Sequence, residues 1–260
     1  MDIFAWLKQK MATRLSREPN RTPSYLCDFD RISQEAMLGD VLLVEGKSRI
    51  AKIIRNVTNS TWTHAALYIG RLHDIYDPTI REIVMRYFKG SPSVQLLIES
   101  QIGVGTIIRP ITFYRNDHLR ICRPRGISGA DAQKVIANAV LHLGKQYDKR
   151  QVIELMFFIL TNPLIPSSWH TNLFRQTNPD ETTKEICSTM IAEAFASVQF
   201  PIRPLAIKND NDKLEFKEAH TKLITPRDFD YSPYFDIIKY PIYGNKGGYY
   251  KHIPWNDEQV

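Results

Sequence analysis

Between residues 39 and 123 the chain passes through a succession of short β-rich stretches separated by tight turns, and this succession limits the folds open to it. Gly39-Asp-Val-Leu-Leu-Val44 reads as a first strand entered by a turn. Residues 46–60 are polar and basic and partly helical. Thr63-His-Ala-Ala-Leu-Tyr-Ile-Gly70 is a second strand ended by glycine, and Ser93 to Glu99 a third. The glycines at 103 and 105 turn the chain into a strand over 106–109, and 119–123 forms a fifth. Such short strands with tight connections predict a mostly antiparallel sheet. Period-two alternation places His64, Ala66 and Tyr68 on one face of their strand and Leu67 and Ile69 on the other. On the third strand, Leu97 and Glu99 share one face, and Leu96 and Ile98 the opposite one.

Helical patterns follow. Ser128 or Asp131 can cap a helix over 132–143, which Gly144 stops. A second helix is predicted through Ile186, Met190, Ala194 and Val198, with Asp180, Thr182 and Thr183 as candidate caps. Cys187 then falls in its first turn, where unpaired backbone N–H groups and the helix dipole favour an anion. A thiol placed there is biased toward the thiolate, the nucleophilic form. Taken alone, a small buried thiol filling a helix–sheet contact is the more ordinary reading. Residues 152–160 are apolar, 161–182 read as a long surface excursion, and 201–225 mix Pro, Lys, Asp and Asn.

A net charge of +6 favours acidic partners, yet no Lys/Arg block reads as a nucleic-acid arm. Cys27, Cys122 and Cys187 are odd in number and widely spaced, which argues for free thiols and a reducing, cytoplasmic setting. No signal peptide or membrane-spanning run is expected. Residues 1–17 form an amphipathic pattern, with Phe4, Trp6 and Leu7 facing one way and Lys8, Lys10 and Arg14 the other. That helix would either dock on its own domain or lie peripherally on an anionic membrane. No metal site is expected: the histidines are scattered, and Asp210-Asn-Asp212 lacks the glycine of a calcium loop. No cofactor fingerprint is present either.

A cysteine hydrolase needs a thiolate, a histidine and a polar group orienting that histidine. His64, Glu99 and Cys187 supply these on three elements, and paired neighbouring strands would join the first two. The helix would then pack across that sheet with Cys187 toward the imidazole. The motifs also resemble a known family. Gly39-Asp40, Thr63-His64-Ala-Ala-Leu-Tyr-Ile-Gly, Leu97-Ile-Glu99-Ser, Gly144-Lys-Gln-Tyr147-Asp148, Ile186-Cys187-Ser188 and Ile224-Thr-Pro-Arg-Asp-Phe follow one another as in the permuted papain-like hydrolases. This is the YaeF/YiiX-type branch of the NlpC superfamily. The resemblance implies an α+β, circularly permuted papain-like fold, an antiparallel sheet packed on helices with the nucleophile at a helix N-terminus. It implies Cys187 as nucleophile, His64 as base, Glu99 as orienting group and Tyr147 lining the substrate cleft. Ser188 is a further substrate-binding or oxyanion candidate.

The expected organisation is an N-terminal helix and linker over 1–35, a hydrolase domain over 36–235 and an aromatic tail over 236–260. The activity expected first is an amidase or peptidase on a peptide or cell-wall-type amide. A thioesterase or acyltransferase on an acyl-lipid, and a catalytically silent binding module, are the alternatives.

Overall fold

The computed structural model describes residues 27–101, 104–144, 187–208, 214–218, 221 and 224–241. The amphipathic segment 1–17, Tyr147, the stretch 152–160, the Asp210 loop and the aromatic residues from Tyr243 onward lie outside these. The described residues form an α+β structure around a six-stranded antiparallel sheet. Its strands are β1 (Val41–Val44), β2 (His64–Gly70), β3 (Leu96–Gln101), β4 (Gly105–Pro110), β5 (Leu119–Pro124) and, after a two-stranded hairpin, β8 (Phe235–Ile238). They lie in the order β4-β3-β2-β1-β5-β8. Register aligns the strand ends: Val44 sits opposite His64 on one side and Leu119 on the other.

Both faces of this sheet are covered, which is why β1 and most of β2 read as continuous apolar runs. On one face Val41, Leu43, Ala65, Leu67, Ile69, Leu96 and Ile98 meet three helices. These are α3 (Pro78–Tyr87), α4 (Gly129–Val140) and α5 (Cys187–Ala196). Met190, Ile191, Ala194 and Phe195 of α5 have no exposed surface, and Phe195 packs edge-on to Phe235 at a ring separation of 5.5 Å. On the other face Leu42, Val44, Ala66, Tyr68 and Leu97 meet Phe29 and Ile32 of α1 (Phe29–Glu35), with Ile111 and Tyr114 of a 3-10 turn.

The caps are local. Ser48 accepts a hydrogen bond from the Ala51 N–H to open α2 (Arg49–Thr58), and Asn59, left-handed, closes it. Ser128, one of two caps expected for α4, accepts the Asp131 N–H, so that helix begins three residues early. The third strand starts at Leu96 instead of Ser93. Val94 N–H bonds back to Ser91 in a turn, and the Gln95 amide is held by Ser33 and Tyr68.

Several elements have no counterpart in the sequence reading: α1, α3, α6 (Pro226–Tyr231), β8, and a separate hairpin of β6 (Pro204–Lys208) and β7 (Leu214–Glu218). The core described here is closed at its ends. Asp28 N–H donates to the Tyr240 carbonyl at 2.7 Å, and Arg31 lies over the Tyr240 ring.

Candidate active site

His64 is the first residue of β2, and Glu99 lies two residues inside the end of β3. Extending the β2–β3 register from Leu67 opposite Ile98 puts Ala66 across from Glu99, and His64 on the diagonal of the same face. His64 Nε2 and Glu99 Oε2 are 3.0 Å apart. Two more side chains converge on this carboxylate. Arg109 Nε donates to Oε1 at 2.6 Å, and the Tyr114 hydroxyl donates to Oε2. Arg109 is itself fixed by a hydrogen bond to the Gln101 side-chain oxygen Oε1 at 2.5 Å and by the Phe113 ring under its guanidinium.

Glu99 is 1% exposed. Burial raises its pKa, but the charge of His64, the hydrogen bonds from His64 and Tyr114 and the charge of Arg109 outweigh this and bring it down to about 2. The carboxylate is therefore ionised and only accepts. Toward it His64 presents Nε2–H, so that when the ring is neutral its lone pair lies on Nδ1. The ring stays at the surface, its side chain 20% exposed.

Arg109 and Tyr114 were missed in the sequence reading. The signal for Arg109 was present: a hairpin turning between Gln101 and Gly105 sets Glu99 opposite Ile107, with Arg109 on the diagonal. Tyr114 reaches Glu99 from the 3-10 turn, a tertiary contact that no local pattern encodes.

Cys187 is the first residue of α5, and its side chain lies outside what the structure describes. The helix differs from expectation in one respect. Its buried residues join the core on the face opposite Ala66, Leu97 and Tyr114, so α5 and the imidazole lie on different faces of the sheet. Met190, Ile191, Ala194 and Phe195 bury α5 in the larger of the two apolar clusters.

That end of the fold is braced. Ser188, fully buried, donates its hydroxyl to the Ile224 carbonyl, the residue leading toward α6. Asp230 of α6 accepts from Trp62 Nε1 at 3.2 Å and from Arg120 at 2.5 Å, just before β2 and just inside β5. Ser188 thus occupies an internal anchoring position, turned to the backbone of another segment. Tyr147 lies outside the described residues.

Cys27 and Cys122 are buried free thiols, both pushed up in pKa by burial. Among the described residues no group of three His, Cys, Asp or Glu side chains could hold a metal ion. Among them, too, no helix is long and apolar enough to cross a membrane.

No family model matches the chain, and no curated protein matches it. Among solved structures it is similar to one described as metalloprotein yiiX from Escherichia coli O157:H7, at 14% identity and a TM-score of 0.46, over 79% of this chain and 98% of that one.

Proposed function

We propose that the chain is a cysteine hydrolase of permuted papain-like type, with Cys187 as nucleophile, His64 as base and Glu99 as the orienting carboxylate. The observation that carries this reading is the ionised Glu99 holding His64 through Nε2. A buried carboxylate kept charged by the imidazole itself, with a tyrosine and an arginine, and turned to that half-buried imidazole, is the arrangement a general base requires. The start of α5 adds the second ingredient, a cysteine where the helix dipole favours its anion.

In the proposed reaction the Cys187 thiol gives its proton to His64 Nδ1, and the thiolate adds to a carbonyl carbon. Backbone N–H groups at the start of α5 receive the developing oxyanion. His64 returns the proton to the leaving nitrogen as the C–N bond breaks, leaving a thioester. Water, deprotonated by His64, then adds to the thioester and releases the acid and the thiol. The substrate class is a peptide or cell-wall-type amide, with no nucleic-acid partner. The proposed location is cytoplasmic, with residues 1–17 either docked on their own domain or in peripheral contact with an anionic membrane.

A second reading keeps the machinery and changes the bond to an ester or thioester of lipid. Two exposed apolar side chains favour it: Val104 at the β3–β4 turn and Phe113, stacked edge-on to Tyr114 beside the site.

The test is alkylation of each cysteine by iodoacetamide across pH, read by peptide mass spectrometry, with Cys27 and Cys122 as internal controls. The expected result is fast reaction of Cys187 alone well below the ordinary thiol pKa of about 8.5, slowed in His64→Ala. A Cys187 rate that tracks the controls, or that ignores His64, removes the hydrolase reading and favours a binding module. Acyl release from lipid vesicles, against hydrolysis of short peptide amides, then separates the two bonds.

A further inference from the structure

At the opposite end of β2, about 20 Å from His64 at the rise of an extended strand, a cleft of about 560 Å³ opens between α1, the end of β5 and the start of α4. That volume is within the range of small-molecule sites. Met37, Leu38, Ile127 and Ala132 give it an apolar wall, and Tyr76, 70% exposed, stands among the residues that line it.

Its polar groups are unequally engaged. Arg123 is consumed by Asp40, which it grips through Nε and a terminal nitrogen at 2.9 and 2.8 Å. Asp74 accepts the Arg71 N–H at 2.7 Å. The Arg71 guanidinium, by contrast, makes no ion pair or hydrogen bond among the described residues. Tyr68 is 4% exposed, and its oxygen accepts from Gln95 at 2.8 Å, but its own O–H has no acceptor among those residues. A buried hydroxyl proton left unclaimed is costly unless something in the cleft takes it.

Both residues line the cleft, and the backbone between them is irregular. Register slips between Tyr68 and Gly70, a bulge of the kind that re-aims side chains. Gly70 is left-handed at φ +79°, and a Cβ there would come within 2.5 Å of Leu38 and 2.9 Å of Asp74. A bulge and a left-handed glycine thus lie between Tyr68 and Arg71.

We propose that this cleft binds a small monocarboxylate with an apolar body, its carboxylate received by the Arg71 guanidinium and the Tyr68 hydroxyl. One guanidinium and one neutral donor match a single negative charge. Asp40 and Asp74 in the same lining oppose a dianion such as a phosphate monoester. The start of α4 adds little, because Asp131 already occupies its first turn. The site uses none of Cys187, His64 or Glu99, so it stands whether or not the chain is a hydrolase.

The test is ligand-observed NMR on the full chain with benzoate, benzyl alcohol and phenyl phosphate as probes. Benzoate is expected to bind saturably and more tightly than the other two. Its affinity is expected to fall about tenfold or more in Arg71→Leu, and by a factor of about 3 to 10 in Tyr68→Phe, the loss of one charged and one neutral hydrogen bond. His64→Ala should leave it unchanged. Absence of saturable benzoate binding to the unaltered chain overturns the proposal, as does an unchanged affinity in Arg71→Leu or tighter binding of phenyl phosphate. Arg71 is a surface residue beyond the strand end, so its replacement keeps the test decisive even if Tyr68→Phe unfolds.

Discussion

Asp40 and Glu99 are both 1% exposed and both accept from an arginine, yet they titrate in opposite directions. At Asp40 burial dominates: it raises the pKa past what the Arg123 fork and the Met37 N–H can lower. At Glu99 the same burial is overcome, because His64 and Tyr114 join Arg109 on the carboxylate. One arginine is enough to satisfy a buried carboxylate geometrically. Holding it ionised to about pH 2 takes more hydrogen bonds and more positive charge. Asp40 behaves as a structural clasp between the entry of β1 and the end of β5. Glu99 behaves as an anion maintained for a neighbour.

Chemistry separates the two carboxylates most widely. Glu99→Gln keeps the shape and removes the charge, and it should reduce turnover by about 10³-fold or more, and the Cys187 alkylation rate at neutral pH by up to about thirtyfold, the thiolate fraction lost when a thiol returns to its ordinary pKa of about 8.5. Asp40→Asn should change neither by more than about threefold. Equal losses in the two variants would mean that Glu99 is also only a clasp.

Stability comes next. Truncating Glu99 to Ala strands Arg109, Tyr114 and His64, and should cost about 3–5 kcal/mol in urea unfolding at pH 7. Asp40→Ala leaves a partly exposed Arg123 and one backbone N–H, and should cost about 1–3 kcal/mol. The reverse ranking would contradict the account of which carboxylate is held harder.

The acid limb sharpens the same contrast. Glu99 has its pKa lowered on folding from 4.5 to about 2. Its contribution, on the order of 3 kcal/mol, is therefore present above about pH 4.5 and lost as pH falls toward 2. Asp40 has its pKa raised, so its ionisation opposes folding at neutral pH, and that penalty lifts as the carboxyl protonates. Urea midpoints measured from pH 5 to 2 should fall less steeply in Glu99→Gln than in the unaltered chain, and more steeply in Asp40→Asn. The smallest effect is expected from Tyr114→Phe. It should cost about 1 kcal/mol and shift the midpoint of the acid transition upward, because Glu99 loses a donor to its ionised form.

Much of the sheet was legible because its strands carry their own signals. The alternation His64, Ala66, Tyr68 and the turn glycines around 103–105 are local, and the faces they predict are those observed. The pairing of His64 with Glu99 followed from adjacency of two such strands. Elements defined by partners were not legible: β8 is a strand because β5 offers it an edge, and α1 is a helix that packs through Phe29 and Ile32 onto a face built elsewhere. The helix α3 could have been found, since Asp77 caps it and Pro78 occupies its first position. The face on which α5 lies was not deducible. Apolar spacing says that a helix is buried, and leaves open against which of two covered faces.

The bond from Asp28 to Tyr240 has a consequence for connectivity. It brings the first and last parts of the core together, so the contacts form a ring with no privileged point of entry. Joining residue 27 to residue 241 through a short linker and opening the chain at the exposed Lys89–Gly90 turn should return the same sheet. On such a ring, whether the imidazole's strand is synthesised before or after the cysteine's helix is a matter of where the circle is cut. The order of these residues along the gene is thus free to change while their arrangement in space is kept.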